Sequence, residues 1–204
     1  MSLVDAAISA VVQFLVLAGV PLLAYTVYHR WRHKRGWLEI AERAGLSTCP
    51  WRYFLYSFAM ALFGVVVVVV WAPSIELFTR EASAQRPFVG LGLSQAAITL
   101  AFLNGVVQTA LTEEILFRGL IAGSLSRRLP ILWANLAQAA IFFLPHLLIL
   151  YVMPEAWGLL PLVFIGALVS GWLRIKSGSI IGPWLIHASG NVTMALSIAI
   201  RTAA

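Results

Sequence analysis

Residues 53–72, YFLYSFAMALFGVVVVVVWA, decide the fold. The run holds 20 residues without a single charge, and six successive valines, Val65 to Val70, close it. A helix of about 20 apolar residues crosses a hydrocarbon core of about 30 Å. In lipid every backbone group must find its partner inside the segment, so such a run is a helix. It lacks the alternation of a barrel strand. Five further apolar stretches follow the same logic: about 3–28, a run starting near Ser94, Ile131–Val152, 157–173 and 180–200. The whole chain has 204 residues, 61% hydrophobic and 11% charged. A soluble domain carries about 25% charged residues, so this composition excludes a soluble globule and a disordered chain. The expectation is an all-α, polytopic membrane bundle of about six transmembrane helices.

The loops orient it. Arg30, Arg32, Lys34, Arg35, Arg43 and Arg52 follow the first run, Arg127 and Arg128 the third, and Arg174 and Lys176 the fifth. The alternate loops carry only Arg80 and Arg86, with Arg201 at the C-terminus. Basic loops face the cytoplasm, which predicts an N-out/C-out arrangement. The same rule explains the net charge of +6 without nucleic acid as a partner. The first run reads as a span rather than a signal peptide, because Asp5 stands where a basic flank is expected. Trp37, Ile40, Ala41 and Ala44 share a helical face, as in a segment lying on the inner membrane surface. Residues 72–87, with Pro73 and Pro87, form the longest polar outer loop. The single cysteine, Cys49, excludes an internal disulfide and a cysteine-based zinc site.

Few ionisable residues interrupt the runs: Glu113, Glu114 and Arg118, then His146, then His187. Each is a functional candidate, because a charge at mid-membrane costs about 2.5–3.5 kcal/mol on insertion scales. Glu114 and Arg118 have the spacing and order of a helix ion pair. Adjacent helix residues diverge by about 100°, which leaves Glu113 free to face a cavity. His146 follows Pro145, and Phe142 lies one turn earlier. His187 and Asn191 share a face, with Gly190 beside them. If the third helix runs to Arg128, Glu114 and His146 both lie about 22–26 Å from the turn, at a level where they meet, with His187 shallower.

A carboxylate with two histidines suits hydrolysis. Glu113 is the candidate general base toward water, with His146 completing the proton transfer. His187 and the Asn191 amide are candidate donors to a developing oxyanion. Glu113, His146 and His187 are also a zinc donor set with an open fourth position, although the HExxH spacing is missing. Direct glutamate catalysis without a cofactor is the leading reading, and zinc the alternative.

Glu113-Glu114-Ile115-Leu116-Phe117-Arg118 resembles the EExxxR motif of the CPBP family, the CAAX-prenyl proteases and bacteriocin-processing enzymes also called the ABI family. Phe142 to His146 resembles its FxxxH motif, and His187 to Asn191 its HxxxN motif. The resemblance covers about residues 95 to 200. It implies an intramembrane endopeptidase in which Glu113 and His146 activate water, His187 and Asn191 form the oxyanion hole, and Glu114, Arg118 and Phe142 support them. It divides the chain into two N-terminal helices with their loops, 1–94, and a four-helix catalytic core, 95–204. It further implies a membrane-anchored or lipid-modified peptide or protein as substrate, and a prokaryotic cytoplasmic membrane as the location. The competing readings are a non-catalytic immunity or adaptor protein on the same scaffold and a small transporter. A transporter would show broken helices at matched positions in two halves, whereas the polar groups here all lie in the second half.

Overall fold

The structure, a computed structural model, describes residues 2–70, 75–81 and 83–203. It is 83% helical, with no strand among the described residues, so the class is all-α. Helix α1 runs from Leu3 to His33, with a wider π-type turn at Leu15–Gly19. Ser2 opens it through a capping box: its hydroxyl accepts from the Asp5 N–H at 3.1 Å, and the Asp5 carboxylate accepts from the Ser2 N–H at 3.0 Å. Asp5 is thus a helix-capping residue. Then come α2 (Trp37–Arg43), α3 (Trp51–Val70) and the short α4 (Ile75–Thr79). Helix α5 spans residues 95–126, α6 is Ile131–His146, and α7 is the single turn Ile149–Val152. Helices α8 (Leu160–Ser177) and α9 (Ile181–Arg201) complete the chain. Gly178, at φ 77°, ends α8 in the left-handed conformation that glycine adopts without steric penalty.

Four helical stretches are long and apolar enough to cross a membrane: Leu3–His33, Trp51–Val70, Ile131–Val152 and Pro154–Ser177. Most of their apolar surface points outward, as on Val4, Ile8, Phe63, Val66, Val70, Leu132 and Leu144. Outside a bilayer such a surface would drive aggregation, and the protein is an integral membrane protein. Six spans are expected from sequence, but α5 and α9 fall outside the four. The physical reason is polar content: α5 carries Asn104, Gln108, Glu113, Glu114 and Arg118, and α9 carries His187, Asn191 and Thr193.

Further differences concern boundaries. Pro145 has no N–H to continue the ladder, and the fourth run breaks after His146 before resuming as α7. The fifth run enters through a 3₁₀ turn, Pro154–Leu159. The outer loop begins in residues outside the described ones, Ala72 and Pro73 among them. Its described part is packed rather than merely polar, since Leu77, Phe78 and Phe88 are buried against Leu100, Met153 and Ile198. In α2, Ile40 and Ala44 are buried as its face predicts, whereas Trp37 is exposed.

The connections gather at two ends. At one, the Arg43 carbonyl accepts from Arg174 Nη2 at 2.9 Å and from Arg127 Nη1 at 3.2 Å. The three basic segments therefore meet. At the other end, Arg80 pairs with Glu155 at 3.1 Å, and the Gly92 N–H donates to the Ala199 carbonyl at 3.1 Å.

Helix α5 is irregular. It is π-helical over Phe102–Leu111 and again over Glu114–Ala122. Four successive carbonyls of the first stretch accept side-chain donors: Gly105 from Asn191 (3.3 Å), Val106 from the Trp184 indole (3.0 Å), Val107 from Thr112 (3.3 Å) and Gln108 from Gln13 (3.2 Å). The second stretch is pressed by the end of α2, where a Cβ on Gly119 would lie 2.7 Å from the Ala44 carbonyl oxygen. Backbone cannot step aside cheaply, so Gly119→Ala should destabilise the bundle by about 1–3 kcal/mol. Gly166→Ala in α8, where a Cβ meets nothing within 4 Å, should leave stability unchanged or raised. Thermal unfolding of both variants in detergent checks the contrast.

Candidate active site

The site grows from the junction of the two π stretches in α5. Glu114 is fully buried, and Arg118, one turn on, is 2% exposed. Arg118 Nε lies 3.3 Å from Glu114 Oε2. The guanidinium also sits over the Phe142 ring, 4.0 Å from its centroid, a desolvated cation–π contact. The other oxygen of Glu114 is 2.9 Å from His187 Nδ1. An ionised carboxylate only accepts, so the Nδ1–H of His187 is the donor. One buried carboxylate thus joins a cation on its own helix to a histidine on α9.

Glu113 approaches the same imidazole from the other side, with Oε2 3.9 Å from His187 Nε2. That oxygen is buried and has no hydrogen-bond partner among the described residues. The two glutamates were expected to face apart. They serve one residue because the two nitrogens of an imidazole point in different directions, so one ring receives carboxylates from both.

His146 stands apart. It was expected to meet Glu114 at the same depth, but no hydrogen bond or ion pair joins it to either glutamate among the described residues. Its Nδ1 lies 2.8 Å from the Phe142 carbonyl, an acceptor only, so Nδ1 carries the proton and Nε2 is the free base in the neutral ring. Phe142 ties the parts together. Its ring centroid is 4.6 Å from that of His146, 6.4 Å from that of His187 and 5.0 Å from that of Phe117. His187 was expected to be the shallower residue and is instead the one paired with Glu114.

Asn191 shares the α5-facing side of α9 with His187, as i,i+4 spacing requires, but its amide is held by the Gly105 carbonyl. It borders a cavity of about 380 Å³ with Asn104, Gln108 and Gln13. The Asn104 Oδ1 atom is buried there without a hydrogen-bond partner among the described residues. Gln13, Gln108, Thr112 and Trp184 carry no charge, so ionisable residues alone do not point to them. Their signal was available: polar side chains inside apolar runs.

The zinc alternative needs Glu113, His146 and His187 together. Among the described residues no three such side chains are grouped to hold a metal ion. Of the three, Glu113 and His187 lie 3.9 Å apart, while His146 bonds the Phe142 carbonyl through Nδ1.

The buried pair sets the energetics. Removing one partner leaves an uncompensated buried charge, a loss of about 3–5 kcal/mol. Arg118→Ala should therefore lower the thermal midpoint in detergent strongly. Glu114→Gln combined with Arg118→Met should recover much of it, because no charge is then left unpaired. A wild-type melt for Arg118→Ala would remove the pair from this role.

Residues 95–193, just under half of the chain, match the family model described as type II CAAX prenyl endopeptidase Rce1-like. No curated protein and no solved structure matches the chain. The matched segment contains Glu113, Glu114, Arg118, Phe142, His146, His187 and Asn191, so the part of the chain that carries the buried glutamates and both histidines is the part that is similar to this family.

Proposed function

We propose that the protein is an intramembrane endopeptidase that hydrolyses a peptide bond in a membrane-anchored or lipid-modified protein or peptide, without a metal. The observation that carries this reading is the Oε2 atom of Glu113, buried and without a hydrogen-bond partner among the described residues, 3.9 Å from the imidazole that Glu114 holds. One water can reach both groups at that separation. Glu113 takes its proton as general base, and the water oxygen adds to the scissile carbonyl carbon. Negative charge develops on the carbonyl oxygen. His187 is the candidate to stabilise it, its ring held through Nδ1 by the Glu114 carboxylate with Nε2 on the Glu113 side. The ring is held in place before reaction begins, the arrangement that makes electrostatic stabilisation effective. The intermediate then collapses: the C–N bond breaks, and a proton passes to the leaving amine. His146 Nε2 is the candidate shuttle. Asn191 joins the oxyanion site by releasing the Gly105 carbonyl. Glu114, Arg118 and Phe142 are positioning residues.

The meeting of the three basic segments at one end supports the N-out/C-out arrangement, with that end in the cytoplasm of a prokaryotic cell. On this reading the site opens within the bilayer and takes a substrate already held there. The division into 1–94 and a catalytic core at 95–204 is part of the same proposal, with α1 and α3 packing against the core.

Glu113→Gln tests the mechanism, since it keeps shape and removes the base. Its thermal midpoint should match wild type, while cleavage of membrane-anchored peptides, prenylated and unprenylated, should fall by about 10²–10⁴-fold. Cleavage at the wild-type rate would exclude Glu113 as base. Parallel reactions with a strong chelator should be unaffected, whereas loss that zinc restores would return the metal mechanism.

A further inference from the structure

The basic end of the bundle contains a second site, separate from the glutamates. A cavity of about 350 Å³ lies between the end of α1, α2 and the end of α5. Arg35, Arg43, Arg127 and Arg128 line it, with His29 and His33. No carboxylate lines it among the described residues. Glu39 offsets part of the charge from outside, 2.7 Å from Arg35 and 3.7 Å from Arg43.

The positive-inside rule requires basic residues in these loops. It does not require them to converge. Convergence here is built: Arg127 is aimed by Tyr25 Oη at 2.9 Å, Ser124 Oγ at 3.2 Å and the Arg43 carbonyl at 3.2 Å. Arg43 Nε is buried without a hydrogen-bond partner among the described residues. The Arg128 guanidinium has neither a hydrogen bond nor an ion pair among them, its only bond being from the backbone N–H to the Leu125 carbonyl. Like charges held together in this way repel, and a bound anion relieves that repulsion. Guanidinium groups match phosphate in geometry and charge.

The setting is the membrane surface. Trp31, Trp37 and Tyr28, all well exposed, surround this end, and such amphipathic rings sit at headgroup level. Basic pockets between membrane helices on that side suit phosphate-bearing headgroups.

We propose that this cavity is a phosphate-binding site that holds an anionic headgroup at the membrane surface. The full chain, delipidated in a neutral detergent, would be titrated with dioctanoyl phosphatidic acid, dioctanoyl phosphatidylcholine and inorganic phosphate, reading affinity by calorimetry. Phosphatidic acid should bind, and the zwitterionic lipid should bind at least tenfold more weakly. Phosphatidic acid binding tighter than inorganic phosphate assigns the lipid as the source, and equal affinities assign free phosphate. Arg128→Gln, which removes no hydrogen bond seen in the fold, should weaken binding about tenfold, and His33→Gln should weaken it as well. Arg52→Gln, a basic residue outside the cavity, should not. Equal affinity in wild type, Arg128→Gln and His33→Gln would overturn the proposal. An Arg52→Gln effect as large as that of Arg128→Gln would overturn it too, since diffuse surface charge would then suffice. The readout is binding alone, so it stands apart from the proteolytic reading.

Discussion

The fully buried carboxylate of Glu114 is the constraint on which the site depends. A charge in that position is tolerated only when its field is answered nearby. Arg118 answers it from the same helix and His187 from α9. The second contact ties α9 to α5. It also sets the proton of His187 on Nδ1 and aims its other nitrogen toward Glu113. Charge compensation and the proposed catalytic geometry thus use the same set of atoms. Phe142 closes this set, its ring covering the guanidinium and touching both histidine rings.

Helix α5 can present this arrangement because it is not a regular α-helix. Wide π turns are uncommon and occur mostly at functional sites. Here they persist because neighbours support them. Side chains from α1, α5 itself and α9 reach four successive carbonyls in the first stretch. In the second, the glycines at 119 and 123 let the end of α2 lie against the helix backbone. The same end of α2 receives Arg127 and Arg174, so the basic segments are part of the packed structure and not loose tails.

A division of labour follows. Four apolar stretches are long and apolar enough to cross a membrane. Helices α5 and α9 give up hydropathy to carry polar groups, and they are packed on by the others. Outward apolar faces need no complementary partner in lipid, whereas each inward polar group needs a specific one. That asymmetry concentrates structural precision in the segment that matches the endopeptidase family.

Sequence alone determined the class: uncharged runs of about 20 residues can only be helices in lipid, whatever their neighbours. It also determined the Glu114–Arg118 pair, because i,i+4 spacing is local, and the common face of His187 and Asn191. The EExxxR, FxxxH and HxxxN spacings made the resemblance to the family legible for the same reason. Tertiary structure decided which partners these residues take. Depth counted from a loop puts His146 and Glu114 at nearly the same level, but His146 bonds the Phe142 carbonyl one turn back, and His187 is the histidine that pairs with Glu114. That both glutamates converge on one imidazole depends on the pitch of α5. Pitch depends in turn on side chains from distant positions such as Gln13 and Trp184, and no local spacing rule encodes contacts made across the bundle.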